Sequence, residues 1–573
     1  MKPYVLLAAS AAIAATLLSP VRSAAEDDYH GEHRIKHVLL LSIDGMHAVD
    51  FLNCSRGIDG VNGGDPYCPN LAALEHNAIN YTAASTSKPS DSFPGLMSIV
   101  TGATPKTMGV YYDVAYDRSL DAPAKTTGNG VAAGPCTPFG LPTGTTTEYE
   151  EGIDRDQTKV NGGAPGAGLT DGGIASIDPQ RLPRDPAAGC APVYPWNFVR
   201  VNTIFGVIHA AGGYTAWSDK HPAYSSVAGP GGVLDDFYAP EINSDVIGLP
   251  GVSTSEGISC AAVRDPSSDL TAWTNSFQNI QCYDSLKVNA IVREIHGKTH
   301  NGAAARMPTI FGMNFQAVSV GQKLIESGVK GGYLNAAGAP SASLLSEIEY
   351  VDAAIGDMVN ALKDTGKLED TLIIITAKHG QSPIDPNLYK AHPGKTGNGT
   401  SPATVLENLL PDSESPANPN GIGPTEDDIS LLWLKSGTDV EGAVQTLEQN
   451  ATAIGLGQIF YGPSVALNYN KPGLGPGLDP RTPDIIVTPN IGVTYTGSAA
   501  KLEEHGGFSH DDTNVMLLVS NPSIRHKSVS TFTTTSQVAP TILDVLGLNP
   551  NALQAVGIEG TTALPEVNSA LDK

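Results

Sequence analysis

Residues 37–44 read HVLLLSID, an unbroken apolar run that ends in a carboxylate. A strand with one wet face alternates, whereas a strand covered on both faces stays apolar, so this stretch is predicted as a central strand of a parallel sheet. The pattern recurs at 371–379, TLIIITAKH. Between the two, Leu344, Ile348, Val351, Ile355, Met358 and Leu362 repeat at helical spacing and stop before Gly366, completing a helix–strand half of a βαβ unit. Further strands are read at 483–488 (PDIIVT) and 514–520 (NVMLLVS), followed by a short helix at 537–546. The fold class is α/β, a mostly parallel central sheet between helix layers, and in such sheets ligands sit beyond the carboxyl ends of the strands.

The stretch from about 121 to 189 is rich in Gly, Pro and Thr with little periodicity, so it is predicted as a loop-rich insertion. Residues from about 421 to 480 read as a small appended α+β lobe. The amino end, MKPYVLLAASAAIAATLLSPVRSAAED, runs from basic to apolar to small residues, the order of a secretory signal, and residues 1–25 are assigned to it. Its apolar run falls short of the roughly 20 residues of a spanning helix, so no membrane span is expected. The folded domain is then 26–573, secreted or periplasmic.

In that setting the even count of 6 cysteines favours disulfides over metal ligation, with Cys54–Cys68 and Cys260–Cys282 the pairs that nearness suggests. The net charge of −25 argues against a nucleic-acid-binding surface, which needs clustered Lys and Arg. It leaves room for a small anionic substrate captured by local metal or lysine charge. Oligomeric state has no signature in the sequence.

Two residues stand where chemistry is placed in such folds. Asp44 ends its strand within Ser-Ile-Asp-Gly, well set to hold a metal ion, although an Asp there also serves as a turn cap. Ser92 lies in KPSDSFPGLMSIVTG, where Ser before Phe-Pro reads as a helix N-cap. A helix start favours negative charge, so the same hydroxyl is also placed to act as a nucleophile.

Ser-Ile-Asp-Gly followed by Ser-Phe-Pro-x-x-x-Ser-Ile-Val-Thr-Gly resembles the nucleophile region of the type I phosphodiesterase/nucleotide pyrophosphatase family of the alkaline phosphatase superfamily. That resemblance implies a three-layer αβα fold and a hydrolase of phosphate esters, most suited to phosphodiester or nucleotide-type substrates. It makes Ser92 both nucleophile and metal ligand, Asp44 a ligand of the same ion, and a phospho-serine the intermediate. TLIIITAKHGQSP is similar to the family's Asp-His-Gly strand end and EEHGGFSHDDTNVMLLVS to its late histidine segment, which adds His379 and His505 as ligands, with His510 a substitute for the latter. The implied cofactor is a divalent ion of the zinc kind.

The resemblance breaks at several ligand positions. In MNFQAVSVGQKL, Val318 falls where the family has Asp and Gln322 where it has His, and Lys378 replaces the Asp of Asp-His-Gly. An ammonium is no ligand for a divalent ion, so one ion is expected rather than two, with Lys378 supplying the missing positive charge and taking part in catalysis. Asp113 falls at the place of the family's substrate-facing Asn, where an anion repels phosphate unless it is protonated or metal-bound. Asp113 and Gln322 are therefore candidate substrate contacts. GGYTAWSDKHPAY resembles the Gly-Lys-x-His strand end of sulfatases and adds Lys220 and His221. A shifted register would bring Asn314, Gln316 or Asp352 to the site instead. Two alternatives stay open: a single-metal sulfatase-like ester hydrolase, and a non-catalytic binding protein that kept the fold.

Overall fold

The computed structural model describes residues 35–166, 168–261, 273–392, 400–411, 425–496 and 501–571, so the signal sequence assigned to residues 1–25 lies outside the described residues. Arg34–Lys573 forms one compact unit. Its main sheet contains β1 (His37–Ile43), β2 (Ala78–Tyr81), β3 (Ala216–Ser218), β4 (Asp236–Tyr238), β5 (Ile310–Phe315), β6 (Thr371–Thr376), β7 (Leu518–Ser520) and β8 (Lys527–Val529). They lie in the order β8-β2-β7-β6-β1-β5-β3-β4. β1 is central and pairs in parallel with β5 and β6, and β3 and β4 continue the parallel half. β7 runs antiparallel to both of its neighbours, β6 and β2.

The apolar runs are explained by two cores. Successive side chains of a strand point to opposite faces. Leu39, Leu41 and Ile43 of β1 enter one core with Phe311, Met313, Ile373 and Ile375. Val38 and Leu40 enter the other with Ile310, Leu372 and Ile374. The first core is covered by α2 (Phe277–Ile295) and α3 (Ala342–Asp364), the second by α1 (Ser92–Thr101) and α4 (Val538–Val545). A helix layer on each face of the sheet gives the three-layer αβα architecture, alkaline phosphatase-like, that the sequence implies.

All six periodic residues of α3 are buried, and Ser341 caps the helix by accepting from Leu344 N at 3.2 Å. The strand read at 483–488 forms at Ile485–Pro489 but joins a separate antiparallel sheet with Thr425–Glu426, Ser430–Leu432 and Leu456–Tyr461. Helix Val440–Gln449 packs there through Ala443, Val444 and Leu447 over Leu432 and Val487. The 514–520 run supplies a strand only over its last three residues, Leu518–Ser520.

Three disulfides form: Cys54–Cys68, Cys260–Cys282 and Cys136–Cys190. The last ties down the loop-rich insertion, whose strand Thr145–Glu148 pairs antiparallel with Val114–Asp117. Among the described residues, no helix is long and apolar enough to cross a membrane.

Candidate active site at the carboxyl edge of the sheet

Four parallel strands deliver side chains to one edge. Asp44 follows β1, Gln316 follows β5, Lys378 and His379 follow β6, and Asp219, Lys220 and His221 follow β3. Gly45 makes the turn after Asp44 with φ +82°, and a Cβ there would lie 2.0 Å from Gln322 Oε1, so only glycine fits. Gly95 has a similar role: a Cβ on it would meet the Lys378 carbonyl at 2.1 Å, so its absence lets α1 close on the end of β6.

The N-cap of α1 is Asp91, not Ser92. Asp91 Oδ2 accepts from Phe93 N at 3.2 Å and from Asp113 N at 2.9 Å. With the capping done by its neighbour, the Ser92 hydroxyl is left for the site. Ser92 Oγ lies 3.4 Å from Asp44 Oδ2 and 3.2 Å from His379 Nε2, and these last two atoms are 3.6 Å apart. Lys220 Nζ donates to the same hydroxyl at 3.1 Å.

The triangle of Asp44, Ser92 and His379 suits one divalent ion. Bonds of about 2.0–2.1 Å to zinc put neighbouring ligands of a tetrahedron about 3.3–3.4 Å apart, and these three atoms are separated by 3.2, 3.4 and 3.6 Å. His379 Nδ1 is 2.9 Å from the Gly380 carbonyl, an acceptor only, so Nδ1 carries the proton and Nε2 turns its lone pair to Ser92. Asp44 is buried, and burial alone would raise its pKa. Lys378 and His379 overcome that and hold it well below the usual carboxylate range. Asn314 Nδ2 and Gln316 Nε2 each donate to Asp44 at 2.7 Å, one to each oxygen, and orient the carboxylate.

Among the described residues, the positions aligned with the family's second ion offer no such set. Val318 is in the apolar core rather than at the edge. Gln316, the first residue past β5, faces Asp44 in its place with a neutral amide. The Gln322 side chain does not reach the cleft: its Nε2 donates to the Gly45 carbonyl and to Tyr333 Oη, both at 2.8 Å, and its Oε1 accepts from Gln381 Nε2 at 2.8 Å. Lys378 Nζ has its hydrogen-bond partner elsewhere than Ser92. It donates to Asp219 Oδ1 at 2.9 Å in a fully buried pair and stands 3.9 Å over the Tyr224 ring. Asp352 accepts from the backbone of Asn70 and Leu71 away from the site, and His510 is exposed at the start of a short helix.

A cavity of about 440 Å³ leads to this edge, lined by Asp113, Glu150, Lys220, His221, Gln316 and His505 among others. Ser92 and His379 touch two of its lining residues, Lys220 and His505, with the His379 and His505 ring centroids 4.1 Å apart. Burial and the neighbouring His379 keep His505 well below the usual histidine range, so it is neutral at pH 7. Burial also lowers His221, whose Nδ1 lies 2.9 Å from Glu241. Lys220 pairs with Glu150. Burial alone would lower the Lys220 pKa, but Glu150 and Asp44 overcome it and keep the ammonium charged.

Sequence reading missed Asp219, Glu150, Asp91 and Tyr224. Asp91 had a visible signal, an Asp immediately before the Ser-Phe-Pro of a helix start. Glu150 had none, because it enters from the insertion.

The fold is alkaline phosphatase-like. The model of the type I phosphodiesterase / nucleotide pyrophosphatase family matches residues 38–136 and 331–511. The chain resembles murine ectonucleotide pyrophosphatase / phosphodiesterase 5 in complex with AMP, with a TM-score of 0.52 and 12% identity over 90% of this chain and 96% of that one. It also resembles a mutant of the alkaline phosphatase PafA, with a TM-score of 0.50 and 12% identity over 91% and 97%. At such identity the likeness concerns the fold. No curated protein is a sequence match.

Proposed function

We propose that the protein is an exported hydrolase of phosphate esters, acting on phosphodiester or nucleotide-type substrates through Ser92 as nucleophile. The observation that carries this reading is the meeting of Ser92 Oγ with Asp44 Oδ2, His379 Nε2 and Lys220 Nζ at distances of 3.4, 3.2 and 3.1 Å. One zinc-type ion fits Asp44, Ser92 and His379, and when bound it would lower the hydroxyl pKa and neutralise developing charge.

The remaining steps belong to the chain. Ser92 Oγ attacks phosphorus, the ester oxygen leaves with the bonding pair, and a phospho-serine results. Water then attacks the same phosphorus and Ser92 Oγ is released. The Lys220 ammonium, held charged by Glu150, faces the non-bridging oxygens, where a fixed positive charge is most valuable in the crowded transition state. His505 is neutral and borders the cavity, placed to take up the proton that Ser92 loses as it attacks and to hand it on to the departing oxygen. Lys378 acts through Asp219: the pair fixes the loop that carries Lys220, whose backbone N donates to Asp219 Oδ1 at 2.9 Å.

The lysine at the nucleophile also favours a second reading, a sulfatase-like hydrolase of other anionic esters. The two are separated by assaying zinc-loaded protein with bis-p-nitrophenyl phosphate, p-nitrophenyl phosphate and p-nitrophenyl sulfate. Hydrolysis of the phosphate substrates that disappears in Ser92→Ala supports the proposal. No turnover of any ester, or turnover unchanged in Ser92→Ala, overturns it.

A further inference from the structure

Asp91, Asp113 and Glu150 each present an oxygen, and these atoms lie within 4.8 Å of one another. Asp91 and Glu150 are buried and Asp113 is half-buried. Three carboxylates so close repel one another unless something positive joins them. The structure supplies one ammonium, Lys220, which is shared between Glu150 and Ser92.

Two further atoms point to a missing partner. Asp91 Oδ1 is buried and accepts no hydrogen bond, although Oδ2 of the same carboxylate accepts two. His505 Nδ1 is likewise buried with no hydrogen-bond partner and stands 3.7 Å from Asp91 Oδ1, with the residue only 8% exposed. A buried carboxylate oxygen and a buried ring nitrogen left facing each other at that distance are costly as they stand. An atom that both can bind removes the cost. Asp113, Glu150 and His505 line the cavity, which gives such an atom a route in from solvent.

We propose that Asp91, Asp113 and Glu150 hold a divalent cation beside the nucleophile, with His505 Nδ1 as a further ligand. Oxygen-rich ligation of this kind suits a hard ion of the magnesium, manganese or calcium class rather than one bound by thiolates. The site is separate from the Asp44–Ser92–His379 triangle and needs no ester hydrolysis to exist. It gives the insertion a structural purpose, since Glu150 brings that loop to the residue next to Ser92. It also explains an acidic residue at 113 in a cavity meant for anions: with the ion bound, this wall is no longer negative.

The test is a titration of the full chain with Mn2+, followed by loss of the free-ion paramagnetic resonance signal, on wild type, Asp44→Asn, Asp113→Asn and Glu150→Gln. Binding should persist in Asp44→Asn and weaken at least about tenfold in Asp113→Asn and in Glu150→Gln. Equal affinity in wild type and both of the last two variants overturns the proposal, as does absence of Mn2+, Mg2+ and Ca2+ binding to wild type at millimolar concentration. If either carboxylate variant loses its native circular dichroism, wild type and Asp44→Asn decide alone. Binding that survives in Asp44→Asn supports the site, and binding lost there assigns the ion to the triangle and overturns it.

Discussion

The Lys220 ammonium donates to the Ser92 hydroxyl at 3.1 Å, whereas the Lys378 ammonium is spent on Asp219 at 2.9 Å. Two lysines near one serine therefore have different work. In the proposed reaction the charge expected of Lys378 at the ester is therefore assigned to Lys220. Lys378 neutralises a carboxylate with no solvent around it, and that carboxylate also accepts from Trp217 Nε1 at 3.0 Å.

Replacing the two lysines should separate these roles. Lys220→Ala is expected to lower kcat by about 10²–10³, the usual cost of losing one preorganised charge at the reacting group. Lys378→Ala leaves Asp219 buried and uncompensated, which costs about 3–5 kcal/mol of stability. Urea denaturation and initial rates on both variants read the contrast. A Lys378→Ala protein as stable as wild type but inactive would reverse the assignment.

Because Asp91 caps α1, Ser92 is free of structural duty at the helix start. Ser92→Ala should abolish turnover while leaving the thermal midpoint close to that of wild type. Asp91→Ala should cost about 0.5–2 kcal/mol through loss of the cap. A Ser92→Ala protein destabilised as much as Asp91→Ala would show that the serine, and not the aspartate, holds the helix.

What could be read in advance follows from how local the cause is. The unbroken run at 37–44 announces a strand covered on both faces, and Leu39 and Leu40 indeed enter opposite cores. Asp44, Ser92 and His379 were legible because each sits at a strand or helix end within a short motif. The partners of Lys378 and Lys220 were not, since Asp219 and Glu150 meet them only through the packing of strands and of an insertion without periodicity. The register past β5 stayed open for a related reason. In NFQAVSVGQ no spacing tells which polar residue emerges at the edge, and the fold sends Gln316 out and Val318 into the core.

The triangle of Asp44, Ser92 and His379 leads to a metal prediction that is independent of turnover. Zinc-loaded wild type, dialysed against zinc-free buffer, should retain about one zinc per chain. Asp44→Asn and His379→Ala should each lose most of it, whereas Gln322→Ala should retain it, because Gln322 is engaged with Gly45 and Gln381. Atomic absorption on the four proteins is sufficient. Retention of zinc in both Asp44→Asn and His379→Ala would place the ion elsewhere.

Glu148, on the strand of the insertion that leads to Glu150, offers a test by pH. Burial, and secondarily the charge of Glu151, raise its pKa from the ordinary 4.5 to about 8. Below about pH 4.5 the group is protonated whether the chain is folded or not, so it costs nothing there. Between that pH and 8 the folded protein keeps a proton that the unfolded chain releases. Stability is therefore present in full at the acid end of the window and is lost as pH rises through it, by up to about 1.4 kcal/mol per pH unit for one such group. Glu148→Gln removes the titration at nearly constant shape. The difference in thermal midpoint between variant and wild type should move in favour of the variant from pH 5 to pH 8 and level off above. A difference that stays constant across that range would mean that Glu148 is ionised in the folded protein.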